Sequence, residues 1–102
     1  MLEKLTQDMF AAQLNTTFRA SLPDSGIAEL QLYEVAEGLS TPTQEQFSLF
    51  FHGPRETNLG QGTFALDHDQ MGAFPLFLVP IGPDAEGMRY QAVFNRVREK
   101  AR

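Results

Sequence analysis

A chain of 102 residues fits one domain, and its 42% apolar content with nine phenylalanines excludes a disordered chain. The absence of cysteine excludes disulfides, thiolate nucleophiles and Cys-ligated zinc. Residues 1–95 carry twelve acidic side chains against four basic ones, which argues against a phosphate-backbone partner, since that affinity rests largely on Lys and Arg.

The opening, "MLEKLTQDMFAAQL", is interrupted by acids and holds no apolar core of signal-peptide length. No apolar run approaches the roughly 20 residues that a bilayer-crossing helix needs. The expectation is a cytoplasmic protein with no membrane partner. Thr6 has N-cap chemistry, and Asp8 suits a helix N-terminus. Met9, Phe10 and Leu14 recur at helical spacing, which predicts one short helix over residues 7–14. So brief a helix is unstable alone. It is expected to close one end of a β-structure, with Phe10 as its anchor.

From Thr16 the pattern changes to short runs rich in Phe, Leu and Val, broken by "PDSG", "EGLSTPT", "GPRETNLGQG", "DQMG" and "GPDAEG". Regular punctuation of this kind predicts a mainly β fold, an antiparallel barrel or sandwich of about six strands. The strands are read at 16–22, 27–36, 46–52, 62–68, 73–81 and 88–97, giving one domain over 1–97 and a basic tail, 98–102. In the second strand Ala28, Leu30 and Leu32 share a face and Val35 is out of step. A slipped parity predicts a β-bulge near Tyr33–Glu34.

Two strands carry apolar groups on both faces. Phe47, Leu49 and Phe51 alternate with Ser48, Phe50 and His52, and Phe74, Leu76 and Leu78 alternate with Phe77, Val79 and Ile81. Such strands need a second cover, from the helix, the 37–45 loop or another subunit. Pro75 and Pro80 donate nothing to a ladder, so each belongs on a free edge, at a strand end or at a bulge. Together these features mark the fifth strand as close to an edge. They make Phe50, Pro75, Phe77 and Val79 the candidate interaction surface.

The residues with chemical potential are few. "LDHDQ" suggests a metal or acid–base cluster, but strand alternation sends Asp67 and Asp69 one way and His68 the other. His68 shares its parity with Phe64 and Leu66, so it is the last residue of a core-facing row. A polar site would draw on His52, Asp67, His68 and Asp69. No serine stands in a G-x-S-x-G elbow, and "GQG" lacks the third glycine and lysine of a phosphate-cradling loop. "GPDAEG" has too few oxygen ligands for calcium and the proline–glycine chemistry of a hairpin turn. No metal or cofactor is expected. The basic tail reads as a solvated end rather than a nucleic-acid contact.

The segments "LEKLTQDMF", "FSLFFHGP", "QGTFALDHDQMGAFPLFLVPIGPD" and "GMRYQAVFNR" span nearly the whole chain. They resemble a small bacterial family known only as a domain of unknown function, most specifically in the VP-x-GPD…RY-x-AVFN ending. The resemblance also implies a gene neighbourhood, since such genes often lie beside genes for phage-tail-collar-like proteins. The resemblance carries over no catalytic residue and implies a structural or assembly role. Two functions of different class are therefore expected. The first is a non-enzymatic interaction module, an accessory or assembly factor for a tail-collar-like fibre, with that fibre protein or a second copy as partner. The second is a small-ligand-binding or catalytic barrel using His52 or His68 with Asp67 or Asp69.

Overall fold

In the computed structural model, which describes residues 5–23, 26–56 and 59–97, Thr6 Oγ1 accepts a hydrogen bond from the Met9 N–H at 3.2 Å. This cap starts α1, Gln7–Ala11, which is shorter than the predicted 7–14. The N–H groups of Gln13 and Leu14 turn back to the carbonyls of Phe10 and Ala11, three residues earlier, and Asn15 then takes a left-handed φ of 68°. The chain is thereby redirected before Leu14 can join the helical face. Met9 and Leu14 stay exposed, and Phe10 alone is fully buried.

Six strands follow: β1 Thr17–Ser21, β2 Ile27–Ser40, β3 Gln44–Gly53, β4 Gly62–His68, β5 Gly72–Asp84 and β6 Gly87–Val97. They close into an antiparallel barrel in the ring order β1-β2-β3-β6-β5-β4. Closure decides between the barrel and the sandwich, which the strand pattern alone leaves open. A closed ring also satisfies strand edges that would otherwise offer unpaired N–H and C=O groups.

The segment 37–43, read as a break, is strand and tight turn instead. β2 runs to Ser40 and β3 starts at Gln44. Thr41 holds the corner: its N–H donates to the Gln44 carbonyl at 2.8 Å, and its Oγ1 accepts from the Gln44 N–H at 2.9 Å. Side-chain and backbone bonds from one residue let "STPT" turn the chain without a long loop.

The bulge is present where the parity slips. β2 pairs Leu32 with Phe51 and then Glu34 with Phe50, so Tyr33 is the extra residue. Leu32 and Val35 both keep to the inside as a result, and Tyr33 and Glu34 are both turned outward. The free edge expected for the fifth strand is absent, because β5 lies between β4 and β6. Neither proline marks an edge, and Pro80 takes the bulge that was one of the places expected for it. Pro80 sits at a register shift in the β5–β6 ladder, and Pro75 pairs with Ala65 on the β4 side. The β5–β6 ladder starts only at Val79↔Gln91, so Pro75 interrupts no bond there.

The barrel interior is filled by side chains, as six strands require. At one end Phe10 enters the barrel, its ring centroid 5.5–6.4 Å from those of Phe18, Phe47, Phe74 and Phe94. The neighbours Phe47 and Phe94 are paired across β3 and β6 and stack at 4.6 Å. Burying such a ring contributes about 1.5–3 kcal/mol, so α1 is held by its anchor rather than by its own hydrogen bonds. Toward the other end Tyr90 is fully buried, and its hydroxyl accepts from the Leu59 N–H at 2.9 Å. α1 therefore plugs the inside of the barrel and is not the second cover for Phe50 or Phe77. No helix among the described residues is long and apolar enough to cross a membrane. The tail, 98–102, lies outside the described residues.

Candidate functional site

Alternation along β3 puts Phe47, Leu49 and Phe51 inside and leaves Ser48, Phe50 and His52 half-buried on the outer wall. The bulge then brings Tyr33 beside them. Its ring lies 4.0 Å from that of His52, nearly parallel, and 6.1 Å from that of Phe50. On the far side of β3 the register sets Phe50 opposite Gln91 of β6, and Gln91 opposite Val79 of β5. Phe50, Gln91 and Val79 thus form one outward row across three strands. Next to that row Val93 is 64% exposed and Phe77 47% exposed. Pro75 is exposed further along β5. All four residues of the predicted interaction surface therefore face outward, on β3 and β5. Gln91 and Val93 of β6, the strand between them, were not singled out.

A polar cluster adjoins this face. Asp84 ends β5, and the two-residue turn Ala85–Glu86 leads into β6. Its Oδ1 accepts from the N–H groups of Glu86 and Gly87 at 2.9 and 3.2 Å, which makes the acidic loop a turn held by its own aspartate. The other oxygen, Oδ2, is 2.9 Å from His52 Nε2. The carboxylate only accepts, so Nε2 is the donor. The Asp84 carboxyl is held below the usual carboxylate range, first by the His52 bond and then by the two turn N–H groups, against the opposing effect of burial. Arg89 stands across from His52 and donates to the carbonyls of Gly82 and Ile81 at 3.1 and 3.2 Å. Arg55 donates to the Asp84 carbonyl.

Chemically this is an imidazole oriented by a carboxylate and covered by an aromatic ring. Among the described residues His52 bonds Asp84 and no hydroxyl, so the pair is not extended to a nucleophile. No group of three or more His, Asp or Glu side chains gathers as metal ligands among the described residues.

His52, Asp67, His68 and Asp69 do not meet as one site. His68 is inside, 4% exposed, with its ring 4.2 Å from that of Phe18. Asp67 and Asp69 are exposed on the outside, where one Arg19 guanidinium bonds both at 2.7 and 2.9 Å. Arg19 is opposite Asp67 across β1 and β4, so this ion cluster fastens the seam that closes the ring. His52 has Asp84 as its carboxylate, from 32 positions further along the chain. Asp84, Tyr33 and Arg89 were not read as partners of His52. The parity slip marks Tyr33 as unusual, but only the β3–β6 register tells that the 84–87 turn comes down beside His52.

The family model for a domain of unknown function, DUF6916, matches residues 5–94, and the chain belongs to that family. No curated protein and no solved structure matches it.

Proposed function

We propose that this member of the DUF6916 family is a non-enzymatic docking module that binds another protein chain through the outer wall of β3, β6 and β5. The observation that carries the reading is the outward row Phe50–Gln91–Val79, with Phe77 and Val93 exposed next to it. A solvated barrel wall ordinarily alternates apolar inside with polar outside. Apolar side chains gathered on neighbouring strands of such a wall make the kind of patch that contact surfaces use. Because α1 is engaged inside the barrel, it does not compete for this wall. The division of His52 and His68 between the two sides of the wall, each with its own partners, also favours docking over a ligand-binding or catalytic barrel.

The partner is a tail-collar-like fibre protein, for which this chain would serve in assembly, or a second copy of the chain. Light scattering and cross-linking at micromolar concentration test self-association. Capture of a purified collar-type fibre protein tests the other partner. Phe77→Ser with Val93→Ser is expected to abolish whichever association is found and to leave the unfolding midpoint nearly unchanged. A monomer at all concentrations that also captures no fibre protein would remove the grounds for the reading.

A further inference from the structure

We propose that His68 is an acid-sensitive latch, holding the turn between β4 and β5 only while its imidazole is neutral. The two ring nitrogens have different duties. Nδ1 accepts from the backbone N–H groups of Gln70 and Met71 at 3.0 and 3.2 Å. A nitrogen that accepts carries no proton, so the proton of the neutral ring is on Nε2. Nε2 then donates to Thr16 Oγ1 at 2.8 Å, and that hydroxyl donates to the Gln13 carbonyl at 2.6 Å. One imidazole thus ties the β4–β5 turn to the connection between α1 and β1.

A second proton would have to go on Nδ1, where it would face two N–H donors. The ring has little freedom to escape, being 4% exposed and packed at 4.2 Å against the tilted ring of Phe18. The imidazolium therefore loses the turn and keeps only Thr16. Three charged groups act on the ring. Asp69 and Asp67 favour its protonation and Arg19 opposes it, and Arg19 already engages both carboxylates on the outer side. The α1–β1 connection offers the ring a hydroxyl, and that hydroxyl's own proton goes to the Gln13 carbonyl. Burial is the largest influence and pushes the imidazole below its ordinary value, so the neutral form is the one the fold selects. Release would free the N–H groups of Gln70 and Met71. It would also loosen Met71, which packs against the core at the end of the hairpin. This inference is independent of the docking reading, because the outer wall of β3, β6 and β5 takes no part in it.

The test is an NMR titration of the uniformly 15N-labelled full chain from about pH 7.5 to 5. At the upper limit the imidazole nitrogens of His68 should show a protonated Nε2 and a bare Nδ1. Between the folded imidazole pKa and the free value of about 6.5, hydrogen-exchange protection of the Gln70 and Met71 amides should fall about tenfold per pH unit. Amides in the middle of β3 should not follow. His52→Gln should leave the response intact and His68→Gln should remove it. If His68→Gln does not fold, the unaltered protein still decides the matter. A protonated Nδ1 at neutral pH, a His68 titration at or above the free value, or unchanged protection at both amides would each overturn the latch.

Discussion

The ring of Tyr33 lies 4.0 Å from the ring of His52, only 22° from parallel, because a β-bulge places one extra residue on the outer face of β2. In an unbulged strand the parity of Leu30 and Leu32 would turn Glu34 inward and Val35 outward, whereas the extra residue keeps Tyr33 and Glu34 outside and Val35 against the core. The stack covers the imidazole that bonds Asp84 and shelters one side of Phe50. Tyr33→Ala is expected to lower stability by about 0.5–1.5 kcal/mol beyond the area lost, the usual worth of a ring pair. Tyr33→Phe keeps the stack and should stay within about 0.5 kcal/mol. Urea unfolding of both variants checks this, and equal losses would show that the hydroxyl, not the ring, is what matters.

Phe10 and Phe77 are both phenylalanines on an otherwise amphipathic pattern, yet one is 0% and the other 47% exposed. Truncating a fully buried aromatic removes its transfer free energy and leaves a cavity among four neighbouring rings. Phe10→Ala should therefore cost about 3–5 kcal/mol. Phe77→Ala should change stability by no more than about 0.5 kcal/mol, as exposed substitutions do. Denaturant midpoints at constant m-value separate the two. A large loss from Phe77→Ala would mean that this side chain serves the fold and not a partner.

The contrast also shows what a linear sequence can and cannot reveal. Strand alternation is local, so the core rows of β3 and β4 and the inward set of His68 were legible from parity alone. The bulge was legible too, since Val35 falls out of step with Leu32 within one strand. Ring closure was not, because the pairing of β1 with β4 rests on the short register Arg19↔Asp67 and Ala20↔Leu66, about fifty positions apart. The same gap hid the partnership of His52 with Asp84, which depends on how β3 and β6 align. The prolines misled only as to the edge, because a bulge was among the places they allowed and Pro80 takes it. A missing N–H signals a place without a ladder bond, and in β5 that place is a bulge or an unpaired flank rather than the edge of a sheet.

Acid should act on this protein in two separate windows. The Asp84 carboxyl is held below its ordinary value, chiefly by His52, so its contribution is present above the unfolded pKa. That contribution is lost as pH falls from about 4 through the folded pKa. His68 is also lowered, but for a histidine this favours the neutral form. The unfolded chain then binds the proton more readily, and stability declines as pH falls below about 6.5. Asp84→Asn retains an acceptor for the Glu86 and Gly87 N–H groups while losing the charge. Thermal midpoints measured from neutral pH down to about 3 should therefore flatten below about pH 4 in Asp84→Asn, and should keep the decline that starts near 6.5. An unchanged profile at low pH would show that the His52–Asp84 bond does not contribute in solution.

Two glycines at turns give the last prediction, because they share a backbone region and differ in their surroundings. Gly72 follows the β4–β5 turn with φ 80°, and a Cβ built there would meet nothing within 4 Å. Gly87 opens β6 with φ 146°, and a Cβ there would strike the carbonyl oxygen of Gly53. Gly53 is itself closely packed, since a Cβ built there would meet Leu30 and Tyr90. Both positions favour glycine, since a side chain at positive φ is strained. At Gly72 that strain acts alone, and Gly72→Ala should cost about 1–2 kcal/mol. At Gly87 the collision adds to it and falls where β3 meets the β5–β6 turn, next to the aspartate that holds His52. Gly87→Ala should therefore cost clearly more than Gly72→Ala and should weaken the His52–Asp84 bond. Urea midpoints of the two variants measure the first effect, and the imidazole 15N shifts of His52 measure the second. Equal losses from the two substitutions, with His52 undisturbed in both, would mean that Gly53 yields and that the close approach of these strands is not a constraint on the site.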